Sequence, residues 1–299
     1  MDIGNCNHNI GWIGAGKMGG PMIQNLLGNS AQVCVIDPDA DSVAAAIGKG
    51  ATAGASFDDM ANKDIVFSTL PNDQALMSVV SGTPNKKGLV DVLAKGAIFV
   101  DMSTVSPDVS SKVAKLLEKA KVSYLRAPLS GSTVMAENAT LTILASGDES
   151  AWQKVLPYLE MVSKRQFYLG AGDEARYMKL VINTLVGGLS ALLAEALSLG
   201  ESGGLTRASM MEVIGESAVA SPLLAYKTQT VVADDFSPAF TVLQMIKDFT
   251  LISDAARSND VPLLTTGLIL EQYRAAANAG LKDADFFALV KWHSDMSSQ

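Results

Sequence analysis

The sequence has few of the residues on which several large classes of protein depend. Two cysteines, Cys6 and Cys34, are too few for a disulfide framework, and we expect both to serve as buried apolar packing. The two histidines, His8 and His293, stand near the two ends of the chain, where we do not expect a catalytic base. No cluster of His, Cys and acidic residues has the spacing of a zinc site, and no Gly-x-Ser-x-Gly elbow occurs. Neither zinc-dependent nor serine-nucleophile chemistry is therefore predicted.

Positive charge is also scarce, with 23 basic residues against 31 acidic ones and a formal net charge of -8. Such a balance disfavours nucleic acid and anionic membranes as partners. No basic segment followed by an apolar stretch opens the chain, and its longest apolar segments contain Gly, Ser or Glu at spacings that suit buried helices. We therefore expect a cytoplasmic protein without a membrane span.

What the sequence does contain is a large apolar fraction, 48% against 18% charged residues, in a chain long enough for two domains. Up to about residue 170, short apolar runs alternate with helical patterns, which is typical of a doubly wound α/β sheet. Two helix starts are well marked, one at Ser106-Pro107 and one at Asp148-Glu149-Ser150. The predicted strands are 10–13, 32–36, 65–69, 97–100, 122–125, 141–145 and 166–169.

A glycine motif stands between the first predicted strand and the helix after it: Gly14-Ala15-Gly16-Lys17-Met18-Gly19. Gly14 permits a tight turn, Gly16 lets the backbone approach a pyrophosphate, and Gly19 allows the helix to pack closely on the strand. The helix N-terminus adds unpaired N–H groups that bind phosphate oxygens. This arrangement predicts a bound dinucleotide.

Asp37 follows the second predicted strand, where a dinucleotide-binding sheet carries the acidic residue that binds the adenosine ribose. Its carboxylate can accept hydrogen bonds from the 2′- and 3′-hydroxyls and would repel a 2′-phosphate. No arginine occurs at positions 38–41, where Asp39 and Asp41 add further negative charge. We therefore predict NAD as the cofactor in preference to NADP. The alternative role of Asp37 is that of a carboxylate in an Asp-Pro turn.

After Gly172 the pattern changes to helices alone. A stretch rich in Leu, Ala and Met runs from Glu174 to Gly203, and we expect it to be a spine between domains and part of an interface with a partner subunit. Further helices are expected over 207–216, 242–258 and 264–279. The predicted organisation is an NAD-binding Rossmann-type domain at 1–170, followed by an all-helical domain at 171–299 that begins with an interdomain helix at about 172–203.

Lys179 is the candidate for proton transfer, since neither histidine is. It lies on the long helix among Met178, Leu180 and Val181, with Asn183 four residues later on the same face. Burial in a domain cleft would remove its hydration and favour the neutral amine, which can act as acid or base near neutral pH. Alternatively, its aliphatic stem covers the core while the ammonium group stays in water. The helix pattern by itself leaves both interpretations open.

Five short motifs occur in order along the chain. They are the glycine motif followed by Gly20-Pro21-Met22 and Asn25-Leu26, the loop Asp101-Met102-Ser103-Thr104-Val105-Ser106-Pro107, the loop Ala127-Pro128-Leu129-Ser130-Gly131 with Thr140-Leu141-Thr142 after it, Lys179 with Asn183, and Lys247-Asp248. Together they resemble the β-hydroxyacid dehydrogenase family, which includes 3-hydroxyisobutyrate dehydrogenase and tartronate semialdehyde reductase. The resemblance extends over essentially the whole chain.

The resemblance implies an enzyme that interconverts a small β-hydroxy acid and its semialdehyde or keto acid, working as a homodimer or homotetramer. Lys179 would exchange the proton of the substrate hydroxyl, and Asn183 would help to position the substrate. The substrate loop would hold the substrate carboxylate through Ser130 and Gly131, with Ser132 beside them. The cofactor would be bound by the glycine motif with Gly14, Gly16, Lys17, Met18 and Gly19, by Asp37, by Leu70 and Pro71 along its channel, by Thr104 beside the nicotinamide ribose, and by Lys247 from the helical domain.

The chain departs from the family pattern at several positions. Arg126 stands where the family usually has Asp, and it could anchor a second acidic group or be a surface residue paired with a carboxylate. Ser132 stands where a second Gly is common, and it could bind the substrate or satisfy the loop backbone. Ile182 replaces the first of two usual Asn residues, and Asp173 and Ala175 replace glycines before the lysine.

Two rival functions follow from the same features. One is an imine reductase on the same architecture, although such enzymes generally lack a lysine at the position of Lys179. The other is a non-catalytic dinucleotide-binding module that acts through interactions. Relatives that decarboxylate sugar phosphates are disfavoured, because no cluster of cations for a phosphate lies near the substrate loop.

Overall fold

The computed structural model describes residues 8–297, which form two compact units, one up to Lys179 and one from Leu180 onwards. The division falls inside one long helix, nine residues beyond the boundary expected at 170. The strands are β1 Ile10–Ile13, β2 Val33–Ile36, β3 Thr52–Ala53, β4 Ile65–Ser68, β5 Ile98–Asp101, β6 Ser123–Arg126, β7 Leu129–Ser130, β8 Leu141–Gly147 and β9 Ser163–Tyr168. The helices are α1 Gly19–Gly28, α2 Ala40–Ile47, α3 Asp73–Ser81, α4 Leu89–Val92, α5 Pro107–Ala120, α6 Thr133–Glu137, α7 Glu149–Val162, α8 Glu174–Ser202, α9 Arg207–Gly215, α10 Pro222–Val232, α11 Val242–Ser258, α12 Leu264–Ala276 and α13 Leu289–Ser297.

The first unit is built on one nine-stranded sheet in the order β3-β2-β1-β4-β5-β6-β8-β7, with β9 paired to β8. Neighbouring strands from β3 to β6 run parallel, as expected of a doubly wound fold. β8 runs antiparallel to both β6 and β7, and parallel to β9. The predicted Rossmann-type fold is therefore confirmed. The two-residue strands β3 and β7 were not predicted, because two residues are too few to show a period.

Helices cover both faces of this sheet because its central strands are apolar on both sides. β1, β4 and β5 are buried along their whole length. Trp12 stacks on Phe67 with their ring centres 5.1 Å apart and belongs to the core under α1 and α7. Val66 and Phe99 point to the opposite core, under α3 and α5. Because β2, β1, β4 and β5 run parallel, their carboxyl ends lie along one edge of the sheet.

Both marked helix starts are confirmed. Ser106 caps α5 by accepting a hydrogen bond from the Val109 backbone N–H, with Pro107 in the first turn. Asp148 caps α7 by accepting hydrogen bonds from the backbone N–H groups of Ser150 and Ala151. These local signals needed no tertiary context.

The second unit consists of helices packed around an apolar core that includes Phe249, Tyr273 and Phe287. Gly187 on α8 is buried, and a Cβ at this position would collide with the Phe249 ring, so glycine lets α11 lie close to α8. The helix predicted over 242–258 is α11 as observed. The one predicted over 264–279 ends at Ala276 and continues as a π-helical turn, and α10 was not predicted as a separate helix.

α8 is the helix that carries the candidate proton-transfer residue. Within residues 8–297 it alone is long and apolar enough to cross a membrane by length and composition, criteria that core helices of soluble proteins also meet. Part of its apolar surface is exposed at Leu185, Leu192 and Leu199, which follow one another at intervals of seven.

Cys34, His8 and His293 are the cysteine and the histidines within residues 8–297. Cys34 is a free, buried cysteine in β2, as predicted, whereas Cys6 lies outside the described residues. His8 precedes β1, where its Nδ1 lies 2.9 Å from the Tyr158 hydroxyl, and His293 lies on α13. Both histidines are half-buried.

Candidate active site

The strand register aligns the carboxyl ends of five parallel strands in one row. Ile36, Ile13, Ser68, Asp101 and Arg126 are direct neighbours across β2, β1, β4, β5 and β6. The residues predicted to bind the cofactor come immediately after this row, since loops that follow parallel strands emerge at the same edge. This edge is where sheets of this kind bind their ligands.

The glycine loop has the backbone geometry that a dinucleotide needs. Gly14 has φ +93°, and a Cβ there would collide with the Thr69 carbonyl oxygen. Gly19 is equally restricted, because its Cβ would collide with the Gly14 carbonyl oxygen. Gly16 is exposed, and a Cβ at this position would have no atom of residues 8–297 within 4 Å. The loop can therefore bring its backbone against a pyrophosphate beside Lys17 and the half-buried Met18.

Asp37 is held at the end of β2 by two backbone donors. Its Oδ2 accepts a hydrogen bond from the Ala15 N–H at 2.6 Å, and its Oδ1 accepts one from the Asp39 N–H at 2.8 Å. A cavity of about 630 Å³ adjoins the glycine loop and is bordered by Gly16, Asp39 and Lys49 among others. The carboxylate thus faces the glycine loop, which fits a residue that binds a ribose next to a pyrophosphate.

The loops after β4 and β5 are tied together through Asp101. Its buried carboxylate accepts hydrogen bonds from the hydroxyls of Ser68 and Ser103, at 2.7 and 2.5 Å. The Ser103 hydroxyl oxygen in turn accepts a hydrogen bond from the Leu70 N–H at 2.8 Å. Pro71 and Thr104 follow in these two loops, so both predicted cofactor segments lie at the same edge as Gly14.

The predicted substrate loop leads from β7 into α6. Ser130 is half-buried at the end of β7, and Gly131 has φ +140°, a conformation that L side chains rarely adopt. Ser132 is the N-cap of α6, and its hydroxyl accepts a hydrogen bond from the Met135 N–H at 3.4 Å. The Asn25 amide donates to the Ala136 carbonyl at 2.8 Å, which ties α6 to the helix of the glycine motif. Through this contact Ser132 satisfies the loop backbone at the start of α6.

Lys179 and Asn183 lie one turn apart on α8, Lys179 half-buried at the end of the first unit and Asn183 buried in the second. Within the second unit, the Asn183 amide donates a hydrogen bond to Asp248 Oδ2 at 2.5 Å. Lys247 Nζ forms an ion pair with the other oxygen of this carboxylate at 2.9 Å. Asp248 is 1% exposed and so fixes the Asn183 amide from inside the core.

Arg126 has a carboxylate partner, but it is not at the surface. Its Nε donates to Asp173 Oδ1 at 2.8 Å and to the Ser110 hydroxyl at 3.3 Å. Its guanidinium carbon lies 4.5 Å from the centre of the Tyr124 ring. At 6% exposure Arg126 is paired with a carboxylate, as one alternative held, but the surface location that this alternative gave it is wrong.

Arg176, in the first turns of α8, was not singled out from the sequence. Its Nη2 donates to Asp101 Oδ2 at 2.5 Å and to the Tyr124 hydroxyl at 2.9 Å, and its Nη1 donates to the Ser103 carbonyl at 2.6 Å. Burial alone would lower the pKa of Arg176, but the Tyr124 hydroxyl and the Asp101 carboxylate raise it above its usual value, so the guanidinium stays charged. The sequence signal for Arg176 was a charged side chain in a helix that has few others.

Two known families match the two parts of the chain. Residues 9–170 match the family described as the NAD binding domain of 6-phosphogluconate dehydrogenase. Residues 170–293 match the family described as the NAD-binding domain of NADP-dependent 3-hydroxyisobutyrate dehydrogenase.

Similar individual proteins cover almost the whole chain. The 2-(hydroxymethyl)glutarate dehydrogenase of Eubacterium barkeri is 34% identical over 96% of this chain and 95% of its own length. The chloroplastic glyoxylate/succinic semialdehyde reductase 2 of Arabidopsis thaliana is 30% identical over 94% of this chain and 78% of its own. The structure of Mycobacterium tuberculosis 3-hydroxyisobutyrate dehydrogenase with L-serine has a TM-score of 0.86 at 26% identity, covering 95% of this chain and 98% of that one. This chain therefore belongs to the β-hydroxyacid dehydrogenase family of NAD(P)-dependent oxidoreductases.

Proposed function

We propose that the protein is an NAD-dependent dehydrogenase or reductase that interconverts a small β-hydroxy acid and its semialdehyde or keto acid, with Lys179 as general acid and base. The names of the relatives support the substrate class. A 2-(hydroxymethyl)glutarate dehydrogenase and a succinic semialdehyde reductase both handle a carboxylic acid that carries an alcohol or an aldehyde.

The observation that carries this proposal is the spacing of Lys179 and Asn183, which lie four residues apart on α8. An amine can accept the hydroxyl proton of an alcohol during oxidation, and its ammonium form can return a proton to the carbonyl oxygen during reduction. Because Asp248 fixes the Asn183 amide from inside the second unit, this side chain is preorganised to position a substrate. When bound, the nicotinamide supplies the hydride donor or acceptor.

The substrate carboxylate has its own donors in this proposal. The Ser130 hydroxyl and the backbone N–H of Gly131 would bind it, because a carboxylate needs oriented donors that leave the reacting carbon free. Gly131 supports this role because its positive φ sets the direction of the loop backbone. Ser132, occupied in capping α6, would contribute by fixing the loop.

We further propose NAD in preference to NADP. Asp37 supports this choice, since its carboxylate is held beside the glycine loop by Ala15 and Asp39 and would repel a 2′-phosphate. The family also contains enzymes described as NADP-dependent, so the choice depends on this residue and not on the family.

The proposal is tested with purified protein by following NADH at 340 nm over a panel of hydroxy acids. The panel comprises 3-hydroxyisobutyrate, serine, glycerate, 3-hydroxypropionate, 4-hydroxybutyrate and hydroxy-sulfonates. With the best substrate, Lys179→Ala should lower kcat by roughly 10²- to 10⁴-fold, the usual contribution of a general acid or base. The dissociation constant for NADH should stay within about threefold, since the lysine is assigned to proton transfer and not to cofactor binding.

Lys112→Ala is the matched control, because Lys112 is an exposed lysine on α5 that pairs with Asp108 one turn earlier. It should leave kcat unchanged. Near-normal kcat in Lys179→Ala would refute the role of the lysine. Tight NADH binding without turnover of any hydroxy acid would instead favour the non-catalytic module, and turnover of cyclic imines alone would favour the imine reductase.

We also propose that the protein forms homodimers or homotetramers through α8. Leu185, Leu192 and Leu199 are 69%, 59% and 76% exposed, and their spacing of seven aligns them along one line of the helix. Exposed leucines in a row are costly in water, and a second copy of the chain can cover them.

A further inference from the structure

Two buried ion pairs meet at the start of α8, inside the first unit. Arg176 pairs with Asp101, with side chains 1% and 0% exposed, and Arg126 pairs with Asp173, with side chains 7% and 20% exposed. We call this group, with the residues that join the two pairs, the Arg–Asp cluster. It consists of Asp101, Ser110, Tyr124, Arg126, Asp173 and Arg176.

Ser110 and Tyr124 join the two pairs into one network. The Ser110 hydroxyl donates to Asp173 at 2.6 Å and accepts from the Nε atoms of Arg126 and Arg176 at 3.3 and 3.4 Å. Tyr124 lies under the Arg126 guanidinium with its ring and accepts from Arg176 with its hydroxyl. Every charge in the cluster therefore has an opposite charge and further hydrogen bonds, which a buried ion pair needs in order to be tolerated.

The cluster connects two segments that the proposed chemistry requires. Arg176 donates to Asp101 and to the Ser103 carbonyl, in the loop that leads to Thr104. The same arginine lies three residues before Lys179, less than one turn away on α8. One planar guanidinium thus joins the loop after β5 to the helical turn that carries the lysine, and a planar fork fixes orientation better than a single donor does.

The second ion pair joins the end of β6 to the segment just before α8. Arg126 and Asp173 are 47 residues apart in the sequence, and the Arg126 Nε lies 2.8 Å from Asp173 Oδ1. The backbone carbonyl oxygen of Asp173 also accepts hydrogen bonds from the backbone N–H groups of Arg176 and Tyr177, at 2.9 and 3.2 Å. The second ion pair therefore holds the backbone from which the first turn of α8 begins.

We propose that Arg176 is a positioning residue, which, with the rest of the Arg–Asp cluster, locks the turn of α8 carrying Lys179 to the loop Asp101–Thr104. Buried ion pairs are weak evidence for added stability, because desolvation opposes their attraction. Their attested benefit is a unique arrangement, and a proton-transfer group displaced by about 1 Å can lose on the order of 10²-fold in rate. The inference rests on the proposed role of Lys179.

The test compares Arg176→Met and Arg176→Lys with the wild type, using the best substrate from the panel. Arg176→Met should lower kcat about 10- to 100-fold with KM changed less than about threefold, because the lysine loses its orientation while the carboxylate donors at Ser130 and Gly131 remain. Arg176→Lys keeps a positive charge beside Asp101 but loses the planar guanidinium group. Its kcat should therefore lie between those of the wild type and Arg176→Met. It also provides a folded variant if Arg176→Met does not fold.

A second measurement needs neither substrate nor cofactor. Amide hydrogen exchange of the purified chain should become faster in Arg176→Met at two separate segments, 102–104 and 176–180, with β1 and β4 unchanged. A residue that only contributed stability would raise exchange throughout the unit, because global opening would become more frequent.

Lys227→Met serves as the matched control, since Lys227 forms a buried ion pair with Asp285 in the helical unit. It should lower the melting temperature but leave kcat, measured well below that temperature, within about twofold. Normal kcat in folded Arg176→Met, or exchange that rises evenly over the unit, would overturn the positioning role. If Lys179→Ala retains turnover, the proposed function fails instead, and the two-segment exchange pattern still decides whether the cluster locks the helix to the loop.

Discussion

The Asn183 amide donates a hydrogen bond to the carboxylate of Asp248, and both side chains are at least nine-tenths buried. Asn183 would otherwise be a polar group in an apolar helix, and Asp248 a charge inside a helical core. The hydrogen bond between them therefore explains why both polar side chains can be buried. The pair is formed between residues on α8 and α11, so it fixes the register of these helices as well as the direction of the amide.

We expect Asn183 and Asp248 to be strongly coupled in stability. Asn183→Ala and Asp248→Ala should each destabilise the protein, and the double variant should lose less than the sum by about 0.5 to 3 kcal/mol, because each single change leaves a buried partner unsatisfied. Urea unfolding of the four proteins measures this coupling. Thr250→Ala, also on α11, is the control, since its hydroxyl donates to the Ile246 carbonyl within the helix and not to Asn183 or Asp248. Strict additivity of the two single changes would contradict the assignment.

Asp37→Ser should shift cofactor preference towards NADP. Removing one negative charge beside the ribose relieves a like-charge repulsion on the order of 1 to 4 kcal/mol, so kcat/KM with NADP should rise at least about tenfold while that with NAD falls. Asp58→Ser, which removes an exposed carboxylate paired with Lys87, controls for the change in net charge. If the wild type already prefers NADP, the argument from Asp37 is wrong.

Leu192→Glu should weaken self-association. The substitution puts a charge in the middle of the exposed leucine line of α8, and burying it against a second copy would be costly. Size-exclusion chromatography with light scattering should show a shift to smaller species. Val213→Glu, at a residue 69% exposed on α9, should leave the mass unchanged. A wild type that is monomeric at micromolar concentration would exclude the proposed interface.

His293 should make stability fall on mild acidification. Burial lowers the pKa of His293 below its ordinary value near 6.5, so the unfolded chain binds a proton more readily than the native one. This contribution to stability is complete above about pH 6.5 and decreases as the pH falls from there towards the lowered native value. Melting temperatures between pH 8 and 5 should show a drop that His293→Gln reduces. His8→Gln removes the other histidine and should retain the drop, and an unchanged profile in His293→Gln would refute the effect.

Much of the first unit could be read from local sequence. Short apolar runs predicted β1, β4 and β5 within a residue or two. Such runs are informative because fully buried parallel strands are apolar throughout. Ser106 and Asp148 marked helix starts through side chains that bond to their own backbone. The glycine spacing was informative since a Cβ at Gly14 or Gly19 is excluded by nearby backbone. The two-residue strand β7 and the antiparallel direction of β8 left no comparable trace, because both depend on pairing across the sheet.

The sequence by itself determined the nucleotide-binding fold, the all-helical second part and the presence of one lysine on a long apolar helix, since each has a periodic or local signature. Only the tertiary structure decided which charges meet. In it Arg126 forms an ion pair with Asp173, Arg176 forms one with Asp101, and Asn183 donates a hydrogen bond to Asp248. These pairs are separated by 47, 75 and 65 residues, and no local pattern records them. A charge in the sequence shows only that a partner is needed, and the packing of strands and helices selects the partner.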